Sequence, residues 1–231
     1  MAQHFRLSIF IFTLSSLFSV VYSQGGDTYE VVSDYSLSEE KVLECSKKLS
    51  GVHHGLNSPR PYVISKFKEI CTKRGEYFKE LNENNLLMDN CELTKLVQDI
   101  TDALVAANDF IPKVDYQVFI QRNSSINAAN FGEGIIVINI GLLARINNLE
   151  ELAFVIAHEM SHDVRQHVRL LSENSAIVKT DNKIKQDLKT AKKQKYGSYT
   201  AVQTVAYRTL ASMNLHSRQN EIVADSLGVA I

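Results

Sequence analysis

The sequence predicts an α+β fold, mainly helical with a small β-sheet, and three observations carry that prediction. Only 3 Pro and 10 Gly punctuate the 231 residues, so long uninterrupted elements are favoured. Apolar residues recur at helical spacing in several stretches, most clearly at Leu93, Leu96, Val97, Ile100, Leu104 and Val105. The period then shortens to that of strands in two runs, YQVFIQ at Tyr116–Gln121 and GIIVINI at Gly134–Ile140.

The first 23 residues stand apart. A short start with His4 and Arg6 leads into LSIFIFTLSSLFSVVYS, uncharged from Leu7 to Ser23 and broken by Thr13, Ser15, Ser16 and Ser19. With Val21-Tyr22-Ser23 before Gln24, this pattern predicts a cleaved secretory signal; an uncleaved anchor is the alternative. Nothing downstream is apolar for long enough to span a bilayer, so a soluble protein outside the cytosol is expected, periplasmic or extracellular. The 25 basic and 26 acidic residues give a net charge of -1, which sets up no field for nucleic acid or anionic lipid. Cys45, Cys71 and Cys91 match no zinc-ribbon or CxxC spacing; in an oxidising compartment one disulfide among them is expected.

Ser36-Leu37-Ser38-Glu39 reads as a capping box opening a helix to about Leu49. A Gly- and Pro-containing loop with His53-His54 follows, then helical patterns over Tyr62–Leu87 and Glu92–Phe110, the latter stopped by Ile111-Pro112. The turn-rich NSSINAANFGE separates the two strand runs, and helical signals fill the chain from Asn147 onward. The Lys-rich stretch 183–195 reads as a solvated helix face or mobile loop.

The chemistry concentrates in NNLEELAFVIAHEMSHDVRQHV. Asn147 with Glu150, or Asn148 with Glu151, can cap a helix that is apolar from Leu152 to Met160 and so buried on most sides. Into it are set His158, Glu159 and His162. Four residues advance a helix by about 6 Å and turn it by about 40°, so both imidazoles leave one face and can close on one metal ion. Glu159 lies about 100° from His158, flanking the metal without binding it, where a base acting on water would stand. Burying two His and a Glu costs several kcal/mol each without compensation, and a divalent cation supplies it.

Zinc in a catalytic site takes three protein ligands and keeps one position for water. His167 fails as the third, because Arg165 stands where the metzincin pattern HExxHxxGxxH requires glycine. In the terminal HSRQNEIVADSLGVAI, Glu221 and Asp225 share a helix face, while Ala224 and Gly228 would permit a close helix approach. Glu221 could complete a His-His-Glu site with Asp225 behind a ligand His. The same spacing also fits two surface carboxylates, and it does not choose between them.

At these residues the chain resembles zinc metallopeptidase family forty-eight, which includes the CAAX prenyl protease, HtpX, BepA and the mitochondrial Oma peptidases. The resemblance rests on His158-Glu159-Met160-Ser161-His162 and on Ser217-Arg218 before Glu221-Ile222-Val223-Ala224-Asp225 and Gly228. Asn127-Ala128, IIVINIGLL, Glu151-Leu152-Ala153 and His167 extend it over about residues 115–231. It implies a zincin-like fold, with the active-site helix packed on a short sheet and a later ligand-bearing helix. It implies one Zn2+ per chain held by His158, His162 and Glu221, with Glu159 as general base on zinc-bound water and Asp225 supporting a ligand.

The multi-span region of the prenyl proteases and HtpX has no counterpart here, which points to the exported branch of the family. On this reading residues 91–231 are the metallopeptidase domain and 24–90 a helical segment matching nothing further. The sequence closes six residues after Asp225, sooner than the family's members do, and is expected to be a fragment or a minimal form. The expected activity is endopeptidase cleavage of unfolded or misassembled exported polypeptides, with Gly134, Ile135, Ile136 and Val137 pairing to extended substrate. The rival expectation is a zinc-bound chaperone-like or binding module with little or no proteolysis.

Overall fold

A computed structural model describes residues 36–51, 56–57, 60–89, 91–112, 114–194 and 196–231; of residues 208 and 210–217 it describes the helical backbone alone. The expected signal at 1–23, the His53-His54 pair and Lys195 lie outside the described residues.

The central strand explains the architecture. β4 (Ile135–Asn139) is buried at every position, because both faces of the sheet are covered. It pairs in parallel with β2 (Gln117–Gln121) and antiparallel with β3 (Ala128–Gly132), and β1 (Leu87–Met88) pairs antiparallel with β2. The mixed four-stranded sheet therefore has the order β1-β2-β4-β3.

Alternation along β4 divides the core in two. Ile135 and Val137, with Phe119 of β2, face α1 (Glu39–Ser50) and α2 (Pro61–Glu83), where they meet Leu49, Phe78 and Leu81. Ile136 and Ile138, with Val118 and Ile120, face α3 (Glu92–Ala107) and α5 (Leu149–Val164), meeting Val97, Leu152, Ile156 and Met160. Fully burying one such side chain contributes about 1.5–3 kcal/mol. The N-terminal helices thus form one whole layer of the core. A four-residue helix, α4 (Ile140–Leu143), follows β4, and α6 (His167–Thr180), α7 (Asn182–Lys192) and α8 (Ser198–Gly228) complete the described chain. The expected mainly helical α+β class is the observed one.

Several boundaries differ from the sequence expectation, each for a local reason. Ser38, rather than Ser36, caps α1 by accepting from the Lys41 N–H. α2 ends at Glu83 because Asn85 turns left-handed (φ 55), which frees Leu87–Met88 to pair as β1. β3 occupies part of the stretch expected to be only a turn. The cysteines are free: Cys45 and Cys71 sit in different apolar clusters, and Cys91 caps α3. That separation replaces the expected bridge. The described part of the Lys-rich run, 183–194, lies in α7 and the turn after it and is mostly exposed. No described helix is long and apolar enough to cross a membrane.

Candidate metal centre

α5 begins where Asn148 accepts a hydrogen bond from the Glu151 N–H at 2.8 Å, while the Glu151 carboxylate accepts from the Asn147 N–H at 2.9 Å. The second of the two cap registers is therefore the one used. Three turns on, His158 and His162 project together, their Nε2 atoms 3.3 Å apart and their rings edge-to-face. The helix is less enclosed than its composition implies: Phe154 is 41% exposed and borders a cleft of about 520 Å³ that opens over the histidines.

α8 delivers the carboxylates. Ala224 is fully buried, and a Cβ placed on Gly228 would lie 3.2 Å from both Cα and N of His158, so these small residues set a close crossing of α8 on α5. Glu221 Oε2 then stands 3.4 Å from His158 Nε2 and 3.9 Å from His162 Nε2. Asp225 Oδ1 lies 3.0 Å from the outer nitrogen, Nδ1, of His158. Both carboxylates face the imidazoles. His158, His162 and Glu221 offer donor atoms all within 4.8 Å of one another. Ligands at about 2.0–2.1 Å from a tetrahedral zinc stand about 3.3–3.4 Å apart. Two of the three edges match this and the third is slightly long, so two neutral nitrogens and a carboxylate oxygen fit such an ion in spacing and chemistry.

Glu159 is 8% exposed and flanks the cluster. Burial pushes its carboxyl up to about 7, and the neighbouring His158 acts against that rise. A divalent cation in the cluster would also favour the ionised carboxylate. Burial pushes the His162 imidazole down, towards the neutral form a metal requires. The Ser161 hydroxyl, fully buried, donates to the His158 carbonyl at 2.6 Å.

The structure does not support one expected role. Gly134 lies in the turn before β4, and Ile135, Ile136 and Val137 belong to a strand bonded on both sides and buried within the sheet, so no extended substrate can pair there. Among the described residues, the sheet edge beside the cleft is β3. The Asn139 N–H donates to the Asn127 carbonyl at 3.0 Å, which sets the phase of pairing. In that phase Ala129 bonds to β4, while Ala128 and Asn130 turn their backbone groups to the open side.

Two residues escaped the sequence reading. The Asn130 amide donates to the Glu159 carbonyl at 2.8 Å, and its oxygen accepts from the Gly132 N–H at 2.6 Å. Asp163 accepts from the Gly134 N–H at 2.9 Å. Together they lock the β3–β4 turn to the end of α5. Only the Asn130 and Asp163 residue types hinted at this. His167 is not among the donors: its Nδ1 lies 2.9 Å from the Nδ1 of His162, on the side away from the cluster. Burial, with a smaller contribution from His162, pushes its imidazole down to about 4. The side chain of Ser217 lies outside the described residues.

Over 161 residues the chain is 27% identical to the beta-barrel assembly-enhancing protease of Escherichia coli (strain K12), covering 68% of this chain and 33% of that protein. It is 28% identical over 102 residues to the Yersinia pestis protein of the same name, covering 44% of this chain and 21% of that one. The chain thus spans a third or less of the length of these relatives. Residues 92–231, which include α5, β3 and α8, match the peptidase family M48 pattern, and the chain belongs to that family.

Proposed function

We propose that the chain is a zinc-dependent endopeptidase acting on unfolded or misassembled exported polypeptides. The observation that carries this reading is the convergence of His158, His162 and Glu221 from two helices with Glu159 beside them. His158 Nε2, His162 Nε2 and the Glu221 carboxylate would hold one Zn2+. When bound, the ion supplies a Lewis acid for the scissile carbonyl and lowers the pKa of water towards ~7.

Glu159 takes the proton of the attacking water on its carboxylate and returns it to the leaving amine. Burial raises this carboxyl and a bound cation would lower it, so the two act in opposite directions on the proton it carries. Asp225 holds His158 through Nδ1 so that Nε2 faces the ion. The outward backbone groups of Ala128 and Asn130 pair with an extended substrate, reading main chain more than side chains. That mode suits polypeptides that have failed to fold. The relatives' name ties them to beta-barrel assembly, and exported β-rich chains are accordingly the first substrates to try.

Glu159→Gln tests the reading. The variant is expected to keep stoichiometric zinc and lose cleavage of casein or another unfolded protein. Undiminished proteolysis would remove Glu159 from the mechanism. Wild-type protein that binds zinc yet cleaves no unfolded substrate would instead identify a chaperone-like module.

A further inference from the structure

His158 and His162 present one nitrogen each to the cluster, and each has a second nitrogen to be satisfied. For His158 the partner is the Asp225 carboxylate. For His162 it is another imidazole: the Nδ1 atoms of His162 and His167 lie 2.9 Å apart, with the rings edge-to-face at 72°.

We infer that His167 is a positioning residue that fixes the tautomer and orientation of His162 for metal binding. This rests on the zinc reading above. A bond between two Nδ1 atoms needs one donor and one acceptor. If His162 donates, its proton is on Nδ1 and the lone pair on Nε2 faces His158 and Glu221. His167 then accepts at Nδ1 and carries its own proton on Nε2. The reverse arrangement would place a proton on His162 Nε2, inside the donor cluster, and block it.

The backbone is shaped to make this contact. In an uninterrupted helix residue 167 would lie about 140° around the axis from residue 162 and face elsewhere. Instead α5 ends at Val164, Gln166 adopts a left-handed conformation (φ 54), and His167 opens α6. That conformation is unfavourable for a residue with a side chain, and here it carries the chain back so that His167 reaches His162. His167 is 7% exposed as a residue, so little water competes for the bond. An imidazole orients its neighbour without adding a further negative charge to a cluster that already gathers Glu159, Glu221 and Asp225.

The test compares the purified chain with His167→Phe, which keeps a ring but removes the acceptor, and His167→Asn, whose amide oxygen can take the place of Nδ1. Zinc affinity is read by chelator competition and site geometry by the visible spectrum of the Co2+ form. His167→Phe is expected to bind zinc about 10–100-fold more weakly with an altered Co2+ spectrum, and His167→Asn to restore both towards wild type. Equal affinity and spectrum in wild type and His167→Phe, or failure of His167→Asn to improve on it, would overturn the inference. A second measurement needs no variant: in the zinc-loaded wild type, nitrogen-15 spectra should show His162 protonated at Nδ1 and His167 protonated at Nε2. The opposite tautomers would overturn it. A wild type that binds no zinc would instead sink the metal-site reading beneath it.

Discussion

Gly228 of α8 lies against the backbone of His158 in α5: a Cβ at position 228 would stand 3.2 Å from both Cα and N of His158. This contact sets how far the terminal helix can approach, and so whether the Glu221 carboxylate reaches the imidazoles. Gly228→Ala is expected to push α8 outward and cost about 1–3 kcal/mol of stability through overpacking. Zinc affinity should fall with it, on the order of tenfold, as when a group supporting a metal site is lost. Urea denaturation and chelator competition on the same variant measure the two effects.

The cleft-side edge of β3 gives a second prediction. The Ala128 N–H faces the cleft rather than β4, so proline is tolerated there by the sheet but removes a donor from the open edge. Ala128→Pro is expected to retain fold and zinc while kcat/KM on a peptide substrate falls on the order of tenfold, about the value of one backbone hydrogen bond. Circular dichroism, zinc analysis and peptide hydrolysis together check it.

The buried thiol of Cys45 ties the N-terminal helical layer to pH. Burial raises this group from 9.0 to about 11, and its thiol donates to Gln117 Oε1 at 3.2 Å. As pH rises past 9.0 the unfolded chain releases the proton while the folded chain keeps it up to about 11. The folded state therefore loses stability across that window and keeps this contribution below it. The urea midpoint should fall between pH 9 and 11, and the fall should be shallower in Cys45→Ala.

Much of this was legible in the sequence because the pattern was strong and local. The spacing of His158 and His162 dictates a shared helix face, and the apolar run Ile135–Ile138 dictates a buried strand. The Ala224 and Gly228 spacing anticipated a close helix crossing, although only the folded chain shows what α8 crosses. What was missed depends on partners far along the chain. Ala128–Gly132 has weak strand propensity, and its strand form comes from pairing with β4. The apolar run Ile135–Val137 looks the same whether it lies at an edge or at the centre, and only the sheet order excludes it as the substrate strand. The bond from His167 to His162 depends on a left-handed Gln166, a residue type that gives no warning of it.

Metal analysis of Glu221→Ala tests most directly whether one zinc ion is gripped from two helices. The wild type should hold one zinc per chain, with X-ray absorption reporting two imidazole nitrogens and oxygen ligands. Glu221→Ala should lose most of that zinc on dialysis while keeping its helical circular dichroism. Stoichiometric zinc in Glu221→Ala, with an unchanged absorption spectrum, would contradict the ligand set and the account of the centre built on it.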